Sequence, residues 1–315
     1  MTTLPKKTAS EKFKRAWIRI KKERYLWIMI LPVVAYYIIF NYIPLYGVTI
    51  AFKNYNVGLG ILKSPWASPW YKYFLQFFKS IYFGRLIRNT LLINIYALVC
   101  SFPIPIIFAI LLNEVRNMKI RRVVQTVSYM PHFLSTVIVV GIVVNFLNMG
   151  DGIINEVIRR MGGNPIDFMG TTRWFRTIYI ASDIWQGFGW NSIIYLAAIT
   201  SINAELFESA RLDGCSHYGE IWYITIPSIA PTIIILLILR FGSMMNVGFE
   251  KVFLLYNPRN YEVSDVISTY VYRAGVKDAQ FSFSTAVDLF NSIINLILLL
   301  TVNRISKTVS DASLF

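Results

Sequence analysis

The chain has 315 residues, 55% of them apolar and only 15% charged. With its 17 glycines the apolar share is roughly 60%, against about 45–50% for soluble domains, so a soluble globule and a disordered chain are both excluded. Lysine and arginine outnumber acids 31 to 17, giving a net charge of +14. Nine of those basic residues lie in the first 24 positions, from Lys6 to Arg24. That orients a membrane protein and does not make a nucleic-acid groove. Two cysteines, Cys100 and Cys215, build neither a disulfide framework nor a metal cluster on their own.

Six stretches approach the roughly 20 apolar residues that cross a bilayer: residues 25–46, 89–112, 125–147, 177–199, 228–247 and 285–302. The fold class that follows is an all-α integral membrane protein with six spans. A basic segment, residues 1–24, precedes a six-span body at 25–304, and a tail follows at 305–315. The basic segment holds the N-terminus in the cytoplasm, and its apolar run is too long for a cleaved signal. Six crossings return the C-terminus to the same side. Arg116, Lys119, Arg121 and Arg122 in the loop after the second span agree with that orientation. Asn89 is a plausible cap for the second span, and Pro103 and Pro105 predict a bend in it. The outward segment 48–88 carries Trp66, Trp70, Tyr71, Tyr73, Phe74, Phe77 and Phe78, as an interfacial belt does.

Between the fourth and fifth spans lies the most informative loop, residues 203–227. Asn203 can cap a short helix with Glu205 in its first turn. Gly214 can end that helix in a left-handed conformation. Ser216 can cap a second helix that Pro227 limits. Glu208 and Arg211 stand three apart and can pair. Two short helices then meet at a glycine corner under the membrane, either docking on a soluble partner or lying on the bilayer surface.

Here the chain resembles a family. Glu208-Ser209-Ala210, three residues ending at Asp213, Gly214, nine residues, then Ile224-Thr225-Ile226-Pro227 is similar to the E-A-A-x3-G-x9-I-x-L-P loop of ABC importer permeases. Ser209 and Ile226 depart from it conservatively. Tyr42-Ile-Pro44-Leu-Tyr46-Gly47, Tyr129-Met-Pro131-His132-Phe133 and the run from Phe281 to Asn295 resemble the LplB-type, oligosaccharide-importing branch. The resemblance implies a type I importer permease that pairs with a sister permease, an ATPase dimer and an extracellular substrate-binding protein. Glu208, Ser209, Ala210, Asp213, Gly214 and Pro227 would couple it to the ATPases. Those partners, not this chain, would hold ATP and magnesium, and no G-x-x-x-x-G-K-[ST] loop occurs here.

Candidates for a sugar path are Trp185, Gln186, Trp190, Asn191 and Tyr195 in the fourth span and Asn246 at the end of the fifth. Asn291 and Asn295 would share one face of the sixth. The same residues can equally pack helices together. Ionisable groups inside spans are functional candidates: Asp183, Arg240 and Asp288. Arg240 either attracts an anionic saccharide or pairs with an acid. The two histidines, His132 and His217, offer no zinc or hydrolase constellation. A stand-alone ion-coupled carrier is the competing class, with Asp183 and Asp288 as ion sites. A non-transporting scaffold is a third.

Overall fold

A computed structural model describes residues 22–309, so nearly all of the basic N-terminal segment and the end of the C-terminal tail lie outside the described residues. The regular structure of the described residues is all helical apart from one isolated bridge between Lys53 and Trp66. Its principal elements are α1 (Arg24–Phe52), α2 (Lys72–Phe78), α3 (Phe83–Asn113), α4 (Met118–Phe133), α5 (Thr136–Phe146) and α6 (Ile153–Arg160). They continue with α7 (Phe175–Thr200), α8 (Ala204–Leu212), α9 (His217–Phe241), α10 (Phe249–Leu255), α11 (Ile267–Tyr272) and α12 (Phe281–Val309).

Four of these, α1, α3, α9 and α12, are long and apolar enough to cross a membrane, and the α4–α5 pair makes five if it counts as one span. Two of the expected spans differ in kind. Residues 125–147 are not one helix: α4 and α5 meet at 100°. Pro131 sits in a tight 3₁₀ turn at the end of α4, and Ser135, extended at ψ 151°, caps α5 through the Ile138 N–H. The carbonyl of Leu134, freed at the break, accepts from Gln186 Nε2 at 3.2 Å. The fourth expected span is α7, 26 residues and about 39 Å long. Ser182, Asp183, Gln186, Asn191 and Ser192 make it too polar to stand with the four. It is instead the central helix, packed against α3, α4 and α9.

Prolines are accommodated by widened turns. Pro44, Pro103 and Pro227 each follow a π segment by two residues: Ile38–Tyr42, Ala97–Ser101 and Glu220–Thr225. In each case the N–H just before the proline reaches back five residues: Ile43 to Ile38, Phe102 to Ala97, and Ile226 to Ile221. A proline ring clashes with the carbonyl four residues back and donates nothing. Widening the turn shifts the ladder so that the missing donor falls at the change of register. Through Pro103 and Pro105, where a bend was expected, α3 runs on as one continuous helix. Likewise Pro227 does not end a separate helix: the loop's second helix and the fifth span are the single helix α9, which stops at Phe241 and not at 247.

Three apolar clusters hold the body. Near the α8 end, Ala109 and Leu112 of α3 meet Tyr195, Leu196 and Ile199 of α7 and Ile229 of α9. At the opposite end Ile93, Val140, Phe175, Tyr179, Val252 and Val266 pack together, and Phe77, Leu86, Ile267, Phe283 and Val287 tie α2 and α3 to α11 and α12. Asn89 is not a cap. It lies inside α3, fully buried, donating to the carbonyls of Glu262 at 2.9 Å and Asp265 at 3.0 Å. The buried Asp265 carboxylate is held by Arg85 at 3.0 Å and Arg273 at 2.7 Å. By contrast, the apolar stretch of α1 buries nothing within this chain.

Candidate functional site

The corner between α8 and α9 is built by three local rules. Asn203, extended at ψ 125°, accepts the Glu205 N–H through its side chain and starts α8. At the other end Gly214 adopts φ +79°. The Cys215 N–H then reaches the Ala210 carbonyl at 2.9 Å and the Gly214 N–H reaches Arg211 at 3.1 Å. This paired arrangement satisfies the last carbonyls of a helix and favours glycine at the left-handed position. Asp213 is the last, half-helical residue before it. Ser216 accepts the Gly219 N–H at 3.2 Å and starts α9.

The two arms are then clamped. Arg211 donates from Nε to Glu220 Oε1 at 2.6 Å and from Nη2 to Oε2 at 3.1 Å. The expected pairing of Arg211 with Glu208 is absent: Glu220 faces the arginine across the corner while Glu208 stays exposed on α8. Hydrogen bonding to Glu220 raises the Arg211 pKa above its ordinary value. His217 Nε2 lies 2.9 Å from Glu114 Oε2, which ties the corner to the end of α3. Sequence reading missed Glu114 and the roles of His217 and Glu220, because their partners lie across a turn or on another helix. The elbow exposes Leu206, Leu212, Tyr218, Trp222 and Tyr223 beside its capping and clamping side chains, of which only Glu220 is buried. Ser209 is exposed and Ala210 half-buried on α8, and Pro227 lies inside α9 just past the π turn.

A cavity of about 770 Å³ opens between α3, α7 and α9, a size suited to a small-molecule site. Trp190, Asn191, Tyr195 and Arg240 line it, together with Asp183 and with Ala97, Ser101, Phe102 and Pro105 from the π turn of α3 and the residues after it. Trp190 is stacked on His132, ring centroids 4.6 Å apart and planes 4° apart, with Phe133 edge-on at 5.5 Å. Tyr195 is almost wholly buried and serves as wall. Gly189, one turn-step away, lets the backbone of α4 at Ser128 come so close to α7 that any side chain would collide.

The other expected path residues lie elsewhere. Trp185 is partly exposed away from the cavity and Gln186 serves the α4–α5 break. Asn246 accepts from Asn291 Nδ2 at 2.7 Å, and Asn295 accepts the Met245 N–H at 2.8 Å, so these three fasten α12 to the segment after α9. Asp288 is exposed on α12. Asp183 Oδ1 lies 3.5 Å from Lys251 Nζ. Arg240 forms no ion pair among the described residues, so the pairing alternative raised for it finds no partner there.

Comparison with known proteins identifies the family and fold. The family described as binding-protein-dependent transport system inner membrane component matches residues 101–311. The polygalacturonan/rhamnogalacturonan transport system permease protein YteP of Bacillus subtilis is 43% identical over 97% of this chain and 94% of its own length. Protein LplB of the same organism is 41% identical over the full length of both chains. Among solved structures, a chain of a bacterial alginate ABC transporter, in complex with an alginate pentasaccharide-bound periplasmic protein, superposes with a TM-score of 0.87 at 41% identity. That match covers 95% of this chain and 100% of the other. The chain belongs to the family of inner membrane components of binding-protein-dependent transport systems.

Proposed function

We propose that this chain is the permease subunit of an ATP-driven importer of oligosaccharides, spanning the cytoplasmic membrane beside a sister permease. With α7 and the α4–α5 pair each counted as a crossing, six spans leave both termini in the cytoplasm. An ATPase dimer docks beneath the α8–α9 elbow, and an extracellular substrate-binding protein delivers the sugar from the other side. The chain is no enzyme on this reading: ATP and magnesium sit on the partners.

The observation that carries the proposal is the elbow itself. Both of its arms are capped, its corner is fixed by Gly214, and Arg211 and Glu220 lock the arms together, while its large apolar side chains face outward. Such a body transmits displacement without deforming. Because α9 runs unbroken from the corner to Phe241, tilting the elbow tilts the cavity wall that carries Arg240. That is the rigid-body rocking which alternating access requires. The likeness to permeases of polygalacturonan and alginate systems supports a saccharide cargo. Of the two ion-site candidates of an ion-coupled carrier, Asp183 is already engaged by Lys251 and Asp288 lies exposed on α12, outside the cavity lining.

The test is reconstitution. The chain with its sister permease, ATPases and binding protein should take up tritiated trigalacturonate or a neutral trisaccharide into vesicles only when ATP is supplied. Uptake by this chain alone under an imposed ion gradient would overturn the proposal.

A further inference from the structure

The cavity walls carry two charged residues, Asp183 and Arg240, among mostly apolar neighbours such as Phe102, Ile194 and Leu236. They are not in the same condition. Lys251 approaches Asp183 from α10, its side chain 7% exposed, and neutralises it in place. Arg240 has no carboxylate within ion-pair distance among the described residues. A guanidinium on a membrane helix is costly when nothing compensates it. Its planar fork of donors matches a carboxylate, which it can hold by two hydrogen bonds. Trp190, fixed on one side by His132 and 41% exposed, lines the same cavity from α7.

Resting on the import reading above, we infer that this cavity takes an anionic, carboxylate-bearing oligosaccharide, and that Arg240 is the residue that recognises its carboxylate. A neutral sugar can stack on Trp190 and bond to Asn191, yet it leaves the guanidinium without a counter-charge. The negative charge of Asp183 does not repel such a ligand, because Lys251 cancels it. Selectivity therefore resides in one side chain on α9, the helix that the elbow moves.

The experiment uses the assembled transporter without its binding protein, so that selection by that protein does not enter. Equilibrium binding of tritiated trigalacturonate and of its methyl ester is measured for the native chain and for Arg240→Gln and Arg240→Lys. The native transporter should bind the acid at least about tenfold more tightly than the ester. Arg240→Gln should abolish that preference with ester affinity unchanged within about twofold, and Arg240→Lys should keep part of it. Equal weakening of both ligands by Arg240→Gln, no preference in the native protein, or no binding of either ligand overturns the inference. ATP-dependent uptake with the binding protein restored is read on the same preparations. Uptake that persists while the charge preference is missing leaves the import reading standing, whereas absent uptake of any trisaccharide removes both.

Discussion

The elbow and the cavity sit at two stretches of the same helix, α9, and treat their polar groups in opposite ways. At the elbow the key polar groups are satisfied from within: Asn203 and Ser216 cap, Arg211 grips Glu220, and His217 meets Glu114. At the cavity Asp183 is neutralised but Arg240 is left without an ion-pair partner among the described residues. A part that transmits motion gains from having no alternative arrangement, and a part that receives a ligand must keep a valence open. Damage to the first should therefore slow transport of every substrate alike. Damage to the second should change which substrate is taken, or at what concentration.

The largest effect is expected at Gly214. No atom lies within 4 Å of where its Cβ would stand, so a side chain there meets no steric obstacle from neighbours. Its cost is purely conformational, about 1–2 kcal/mol for an L-residue held in the left-handed region and more for a β-branched one. Gly214→Val should lower uptake and substrate-stimulated ATP hydrolysis by more than about twentyfold, with membrane insertion intact. Gly214→Asn, which tolerates that conformation, should keep more than about half of the activity. If Asn fails as badly as Val, the corner's conformation is not what matters.

Next comes the clamp. Arg211→Gln and Glu220→Gln should each cut turnover by roughly tenfold, and the double variant by little more than either single one. Independent, multiplying losses would mean that the two side chains do not act through each other. Half-saturating substrate concentration should stay constant throughout this series. Trp190→Ala should do the reverse, raising that concentration by about fivefold with less change in turnover, and Trp190→Phe should recover most of it. A uniform loss of turnover in Trp190→Ala would place this residue with the transmitting part, through its stack on His132.

Much of the elbow was legible in the sequence because its rules are local. Asn203, Gly214 and Ser216 act on backbone groups within a few residues of themselves, and the structure has all three in those conformations. The clamp was not legible: Glu208 is three residues from Arg211 and suggested itself, yet the corner folds Glu220 against the arginine from nine residues on. Spans were legible where apolar runs were unbroken. The third is a bent pair and not one straight helix, because a run of suitable composition says nothing about a 100° break at Leu134–Ser135. Of the cavity, Trp190, Asn191, Tyr195 and Arg240 were named from residue type alone. Residue type did not separate them from Asn246, Asn291 and Asn295, whose side chains fasten helices to one another. That distinction depends on which face of one helix meets which face of another.

The smallest effect tests whether the elbow is over-determined. Asn203→Ala removes the side chain that accepts the Glu205 N–H at the start of α8, a loss of about 1 kcal/mol in an ordinary helix. That end of α8 is the one farther from the corner, and the clamp, the glycine turn and the Ser216 cap all remain. Fraying of one turn should therefore lower transport by no more than about twofold at 25 °C. Combined with Glu220→Gln, the same change should cost distinctly more, because the arm then lacks both of its anchors and can bend where it should push. A synergistic double variant would identify rigidity as the property being used. Strictly multiplicative losses would instead indicate that the Asn203 cap and the clamp serve separate tasks, and the elbow would no longer be one mechanical unit.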